Sequence, residues 1–361
     1  MMDNEEIYRK LQEHLDTLPV GFPATKTGVE IRLLKRLFSL DEAKIALHME
    51  WGYKSATDIF KRVSEENMTL DQVANHLKSM SRKGAIFTSQ RDNIPHYSLA
   101  MWVIGMYELQ VDNLSDEFVQ EVSQYSADGF NKELVTSAAK TSQFRIIPIN
   151  KSLDYKSTIA PYNNVRNVIE NFEGPIAVAN CICRQRRDLE SDPCKLSDLR
   201  EVCMPLGDFA YHYIEHGLGK EITKQEAMNL ITTAEEKGFI IQSSNSQTPG
   251  FFCLCCGDCC GYLRGMKDLP RPVNYFGTNF HAVVDSDFCS GCETCLERCQ
   301  MDALTIVDGI SAVNRDRCVG CGLCVPTCPE EAIKLLENEQ VYVPPPDYQA
   351  LYDQIRLNKA G

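Results

Sequence analysis

Apolar residues recur at helical spacing through roughly the first eighty positions, then give way to short runs broken by turn residues. Residues 1–15 are charged and amphipathic. They predict a short polar helix within residues 1–26, closed by Pro19, Gly21 and Pro23. Val29, Leu33, Leu34, Leu37 and Phe38 keep to one helical face, and residues 40–49 read as a second helix. Ser55 can cap a third, with Ile59 and Val63 on one face. Thr69 opens a fourth with a capping box completed by Gln72; its apolar stripe is Leu70, Val73, Leu77 and Met80, and Gly84 supplies its stop. Residues 85–88 and 96–99 form two strands around Arg91, Asp92 and Asn93. Helices followed by a two-stranded turn predict a winged-helix-like domain over residues 1–105.

From residue 106 the pattern is mixed. A helix begins after Ser115, a strand follows at 144–148, a helix at 164–172 and a buried strand at 176–179 that runs into Cys181. Residues 208–216 are helical. Thr223 and Glu226 make another capping box, Gly238 ends that helix, and residues 239–242 are a strand. This alternation predicts an α/β cysteine-rich middle domain over 106–276 in which cysteine loops interrupt the elements. Residues 277–340 form a third unit. The tail, 341–361, holds the stiff Pro344, Pro345 and Pro346 spacer and a last helix. The fold class is therefore α+β multidomain.

Charge narrows the function. The 361-residue chain carries a net charge of −13, which argues against tight, non-specific nucleic-acid binding. No apolar run is long enough to span a bilayer, and the start lacks a signal-type apolar segment. Seventeen cysteines in such a chain read as metal ligands or redox thiols of a reducing cytoplasm, in a low-oxygen setting.

Eight of them fall into two identical runs, Cys289, Cys292, Cys295, Cys299 and Cys318, Cys321, Cys324, Cys328. Each reads C-x2-C-x2-C-x3-C, the spacing of two-cluster ferredoxins, in which the fourth cysteine of a run ligates the other cluster. One 4Fe–4S cluster is thereby assigned to Cys289, Cys292, Cys295 and Cys328, and the other to Cys318, Cys321, Cys324 and Cys299. The runs repeat at an offset of 29 residues. Gly291, Gly320 and Gly322 let backbone N–H groups approach the sulfides, and the fourth cysteine is expected to start a helix crossing to the other half. A pair of zinc ribbons is the competing reading, but ribbons pair two C-x2-C knuckles and do not use a triple run. Pro329 follows the second run, whereas Gln300 stands in the equivalent place of the first. Between residues 282 and 337, ten acidic side chains against four basic ones leave −6: a solvated surface, or a docking face for a basic partner.

The other nine cysteines are Cys181, Cys183, Cys194, Cys203, Cys253, Cys255, Cys256, Cys259 and Cys260. A third metal centre (iron–sulfur, or zinc), a redox thiol site and buried structural cysteine all remain open for them. Neighbours in extended chain point opposite ways, so Cys255/Cys256 and Cys259/Cys260 are not all expected to bind one metal. Arg184, Arg186 and Arg187 would depress thiolate pKa or hold an anion; a solvated charge run is the commoner case. No dinucleotide or P-loop fingerprint is present.

Residues 282–337 resemble a bacterial dicluster ferredoxin. The wider order of a winged-helix-like start, residues 146–150 (IIPIN), 180–185 (NCICRQ) and 253–260 (CLCCGDCC), then the ferredoxin unit, resembles anaerobe proteins labelled 4Fe–4S dicluster ferredoxin-domain proteins. That resemblance implies single-electron transfer with a partner oxidoreductase. An electron carrier or redox subunit is the first expectation. The alternatives are an enzyme whose reactive centre is the middle cysteines, and a redox-sensing DNA-binding regulator whose last winged-helix helix exposes Asp71, Asn75, Lys78, Arg82 and Lys83.

Overall fold

The computed structural model describes residues 4–63, 67–153 and 159–360; the first three residues of the expected N-terminal helix lie outside them. Helices α1 (Asn4–Asp16), α2 (Val29–Leu37) and α3 (Leu40–Ala46) bury Leu11, Leu15, Leu33, Leu34 and Ile45 against one another. A two-residue strand, β1 (Lys54–Ser55), leads into α4 (Ala56–Phe60), capped by Ser55, and α5 (Leu70–Arg82), held by the Thr69–Gln72 capping box. Leu70, at the first position of α5, is 37% exposed, so the buried stripe is Val73, Leu77 and Met80 alone. Strands β2 (Ile86–Arg91) and β3 (Ile94–Leu99) pair antiparallel, and β1 joins β3 in the order β1-β3-β2. Asp92 and Asn93 both take positive φ, the requirement of a two-residue hairpin turn. The sequence pattern missed β1 because two residues carry no period.

The next helix is longer than the pattern suggested. α6 (Asp116–Tyr125) continues through a π-turn at Ser126–Phe130 into α7 (Asn131–Lys140). It lies on α2, where Glu121 accepts from Arg32 at 3.0 Å and from Arg36 at 2.5 Å. Phe22, Trp102, Tyr125 and Phe130 interlock beside it, with centroids 4.8–5.7 Å apart.

A six-stranded sheet follows. Its elements in chain order are β4 (Phe144–Ile147), α8 (Val165–Asn171), β5 (Ala177–Asn180), α9 (Ile182–Leu189), β6 (Glu201–Pro205), α10 (Asp208–Glu215), β7 (Gly219–Glu221), α11 (Lys224–Lys237), β8 (Ile240–Ser244), β9 (Phe251–Cys255) and α12 (Gly261–Lys267). The spatial order is β4-β8-β9-β6-β5-β7, antiparallel throughout. The expected cysteine loops are in part regular structure: Cys183 lies on α9, Cys203 on β6, and Cys253 and Cys255 on β9, whereas Cys181, Cys194, Cys256, Cys259 and Cys260 lie between elements. The β2–β3 hairpin rests on α10. There the Thr88 N–H donates to His212 Nδ1 at 3.0 Å, and Arg91 pairs with Asp208 at 2.6 Å.

The C-terminal unit contains β10 (Phe280–Val284), α13 (Thr294–Arg298), β11 (Leu304–Val307), β12 (Ile310–Val313) and β13 (Ile333–Glu337). Strand β10 pairs with β13, and β11 with β12. The 29-residue repeat extends to the hydrogen bonds. The Asp285 N–H donates to Ala332 O and the Asn314 N–H to Ala303 O, both at 2.8 Å, so each half is tied to the other. The last helix, α14 (Tyr348–Ala360), packs Leu351, Tyr352 and Ile355 inward. The prolines before it do not act as a spacer: the Gln247 and Thr248 N–H groups donate to Pro345 and Pro346 carbonyls at 2.8 and 3.0 Å. Tyr352 meets Trp51 of the N-terminal region at 5.5 Å. Helix α14 therefore clamps the first and middle regions together.

Two predictions follow from this packing. Leu351→Ala should cost about 2–5 kcal/mol in chemical unfolding, whereas Leu357→Ala on the same helix, 71% exposed, should cost almost nothing. The second concerns His212, which burial and then His216 hold well below the ordinary histidine value, so it stays neutral when folded. Below about pH 6.5 the unfolded chain takes up a proton that the folded ring refuses, and stability falls by up to about 1.4 kcal/mol per pH unit. His212→Gln, which keeps an acceptor for the Thr88 N–H but cannot titrate, should reduce that slope between pH 6.5 and 5.

Candidate metal centres

The eight C-terminal cysteines surround two hollows. Cys299, Cys318, Cys321 and Cys324 line one, and Cys289, Cys292, Cys295 and Cys328 line the other. Backbone N–H groups aim at the sulfurs. Ala303 donates to Cys299 Sγ at 3.2 Å, Ala282 to Cys318 Sγ at 3.4 Å and Ser311 to Cys289 Sγ at 3.4 Å. Gly291, Gly320 and Gly322 take positive φ, and a Cβ on Gly320 would run into the Phe280 carbonyl. Burial pushes the Cys321 thiol up to about 12, so a nearby cation would favour its thiolate. Four converging sulfurs with amide donors behind them fit an iron–sulfur group. One expectation is corrected. The fourth cysteine of each run does not start a helix; Cys299 follows α13 with extended backbone, and Cys328 ends a short 3-10 turn, because the chain must swing across to the other hollow.

The two hollows differ in their surroundings. Around the second run, Val319 and Leu323 belong to the main hydrophobic core, and the Ile149 N–H donates to Cys321 O at 3.0 Å. Around the first run, Cys292 is exposed and Phe288 is 65% exposed. Gln300 has a specific partner: its Oε1 accepts from the Gly257 N–H at 2.8 Å, within the middle cysteine segment. A Cβ on Gly257 would strike the Gln300 carbonyl oxygen. Arg298 donates to the Glu235 and Glu236 carbonyls, and Arg317 to that of Lys267. Two of the four basic side chains of this segment are therefore turned inward.

The nine middle cysteines divide into two groups. Register sets Cys203 opposite Cys253 across β6 and β9, and Cys255 lies two residues on, on the same face. Cys181 and Cys183, at the start of α9, and Cys260, before α12, complete a set of six around a cavity of about 370 Å3, which Cys256 and Cys259 also border. Cys181 and Cys260 donate to Cys183 and hold its thiol down, while these contacts and then burial push Cys181 and Cys260 up. Gln242 Nε2 lies 3.6 Å from Cys260 Sγ. The remaining wall includes Trp102, Val122, Phe130 and Leu134. Glu108 also borders the cavity; burial pushes its carboxyl up to about 8, and it accepts from the Gly105 N–H at 2.7 Å.

Cys194, Cys256 and Cys259 form the second group with Asp258. Cys194 and Cys256 sulfurs are 3.6 Å apart. Cys259 donates to Cys256, which lowers the Cys256 thiol and raises that of Cys259. Both adjacent pairs are therefore split, one member to each group. Arg184 is not part of a solvated run. It is 1% exposed, stacks 4.3 Å from the Phe239 ring centre and reaches Cys256 Sγ at 3.7 Å. Arg186 and Arg187 pair with Glu190. Sequence reasoning missed Asp258, Gln242 and Glu108. Only Asp258 carried a signal, its place inside Cys256-Gly257-Asp258-Cys259.

Residues 282–335 match the family described as a 4Fe-4S dicluster domain. The C-terminal unit is thus a 4Fe–4S ferredoxin-like domain. Comparison with curated proteins gives no match for the chain. Among the described residues, no helix is long and apolar enough to cross a membrane.

The Gln300–Gly257 contact makes a stability prediction. Gly257→Ala, which drives a methyl group into the Gln300 carbonyl, should cost about 1–3 kcal/mol in urea unfolding. Gly261→Ala, where a Cβ meets nothing within 4 Å, should leave the midpoint unchanged.

Proposed function

We propose that this chain is an iron–sulfur electron-transfer protein that works between an external redox partner and its own cysteine-rich middle region. The observation that carries this reading is the asymmetry of two equivalent sulfur-lined hollows, one edge open to solvent and the other packed on the middle region. Cys289, Cys292, Cys295 and Cys328 would hold one 4Fe–4S cluster, and Cys318, Cys321, Cys324 and Cys299 the other. A bound 4Fe–4S cluster exchanges single electrons. The protein's part is to set the sulfurs, aim amide dipoles at them and exclude water. The exposed Asp287, Glu293 and Glu330 flank the open hollow. With Phe288 they make a face suited to a basic oxidoreductase, whose encounter would be salt-dependent.

A second reading, an enzyme with a reactive metal or thiol centre in the middle region, is favoured by the cavity of about 370 Å3, where eight of the nine middle cysteines face an apolar wall. The two readings are compatible, with the ferredoxin-like domain supplying electrons. We read the N-terminal helices and hairpin as a winged helix used for packing. The hairpin that would serve as its wing is laid on α10, and Lys83 is paired with Glu42 at 2.5 Å. Asp71, Asn75, Lys78 and Arg82 remain exposed, but the chain's charge of −13 opposes a DNA role.

Iron analysis and EPR of the reduced, anaerobically purified chain test the ligand sets. Cys295→Ser and Cys324→Ser should each lose or convert one of two clusters, lowering the iron held by these eight cysteines from about eight atoms. Unchanged iron and an unchanged reduced-state spectrum in both variants would refute the assignment.

A further inference from the structure

We propose that Cys194, Cys256, Cys259 and Asp258 bind one zinc ion, at a site that borders the six-thiol cavity through Cys256 and Cys259 but uses none of its six thiols, and that lies apart from both ferredoxin hollows. The proposal does not depend on the electron-transfer reading.

Spacing is the main argument. The four ligand atoms all lie within 4.8 Å of one another. Cys194 Sγ is 3.6 Å from Cys256 Sγ and 3.9 Å from Asp258 Oδ1. Thiolates bound about 2.3 Å from a tetrahedral ion stand about 3.8 Å apart, and a thiolate and a carboxylate oxygen about 3.5 Å. The site is therefore already near the size of a single ion. A 4Fe–4S cluster attaches each ligand sulfur to a different iron and so holds the sulfurs further apart. Three sulfurs and one carboxylate oxygen complete a tetrahedral zinc shell with no position left for water, the mark of a structural site.

The surroundings support the same occupant. Asp258 Oδ2 accepts from the Lys195 N–H at 2.7 Å, which fixes the carboxylate and leaves Oδ1 facing the sulfurs. Three thiolates and a carboxylate carry four negative charges, and zinc returns two. The buried Arg184 guanidinium, 3.7 Å from Cys256 Sγ, offsets a third. Binding releases the three thiol protons to solvent. The ion would join the segment after α9, which supplies Cys194, to the turn after β9. That turn is also where Gly257 donates to Gln300, so a redox-inert ion would brace the surface on which the ferredoxin-like domain rests.

The test uses the full chain, purified anaerobically from medium containing iron and zinc. Metal analysis should find about one zinc per chain, and zinc-edge X-ray absorption should show about three sulfur neighbours near 2.3 Å and one oxygen near 2.0 Å. Cys194→Ser should lower zinc at least tenfold, whereas Cys203→Ser, in the six-thiol group, should keep it. Zinc below about a tenth per chain in the unaltered protein, a four-sulfur shell, retention in Cys194→Ser or equal loss in Cys203→Ser would each overturn the proposal. Should Cys194→Ser fail to fold, the shell of the unaltered protein decides alone. Iron content and the reduced-state EPR spectrum report separately on the ferredoxin-like domain, so failure of either idea is visible without the other.

Discussion

The arrangement of this molecule's chemistry depends on the alternation of side chains at the end of one strand. Along Phe251–Cys255 successive residues face opposite sides of the sheet, and the turn that follows keeps Cys256 away from Cys255. Cys255 accordingly joins the six-thiol group, while Cys256 meets Cys194. The fold brings partners to each side: Cys181, Cys183 and Cys203 to one, and Cys194 to the other. The buried Arg184 is shared between the framework and the second group. Its guanidinium donates to Leu199 and Leu254 carbonyls while facing Cys256. A cation so placed is costly to bury alone, and thiolates nearby offset that cost.

The C-terminal unit is symmetric in its ligands and asymmetric in its contacts. Equivalent turns, strands and crossed hydrogen bonds recur at 29 residues, yet only one hollow is packed into the main core. The departure at Gln300 belongs to this asymmetry. Proline at that position would offer no side-chain acceptor, whereas glutamine accepts from the Gly257 N–H. The residue that spoils the repeat is thus one of those that touch the middle region. Arg298 and Arg317 turn inward at the same face, which leaves the outer face more acidic than composition alone suggests.

Much of the local structure was legible. Thr69, Thr223 and Ser115 cap helices where their side chains promised to, and Gly84 and Gly238 end them with positive φ. These signals are local, since a cap or a stop is decided within one turn of helix. Strands at 144–147, 177–180 and 240–244 also showed as short apolar runs. Helix α7, the two-residue β1 and the exposure of Leu70 did not show, because the first two lacked a clear period and the third depends on what a neighbour leaves uncovered.

By itself the sequence determined the helix caps and the duplicated C-x2-C-x2-C-x3-C runs. Each rests on covalent spacing and backbone geometry, which no distant residue can alter. Tertiary structure alone decided that Cys194 meets Cys256 across sixty-two residues, that Cys203 lies opposite Cys253, that Arg184 is buried and that one ferredoxin hollow is covered. Those outcomes come from sheet register and core packing between segments far apart in the chain, and spacing within a single segment holds no record of them.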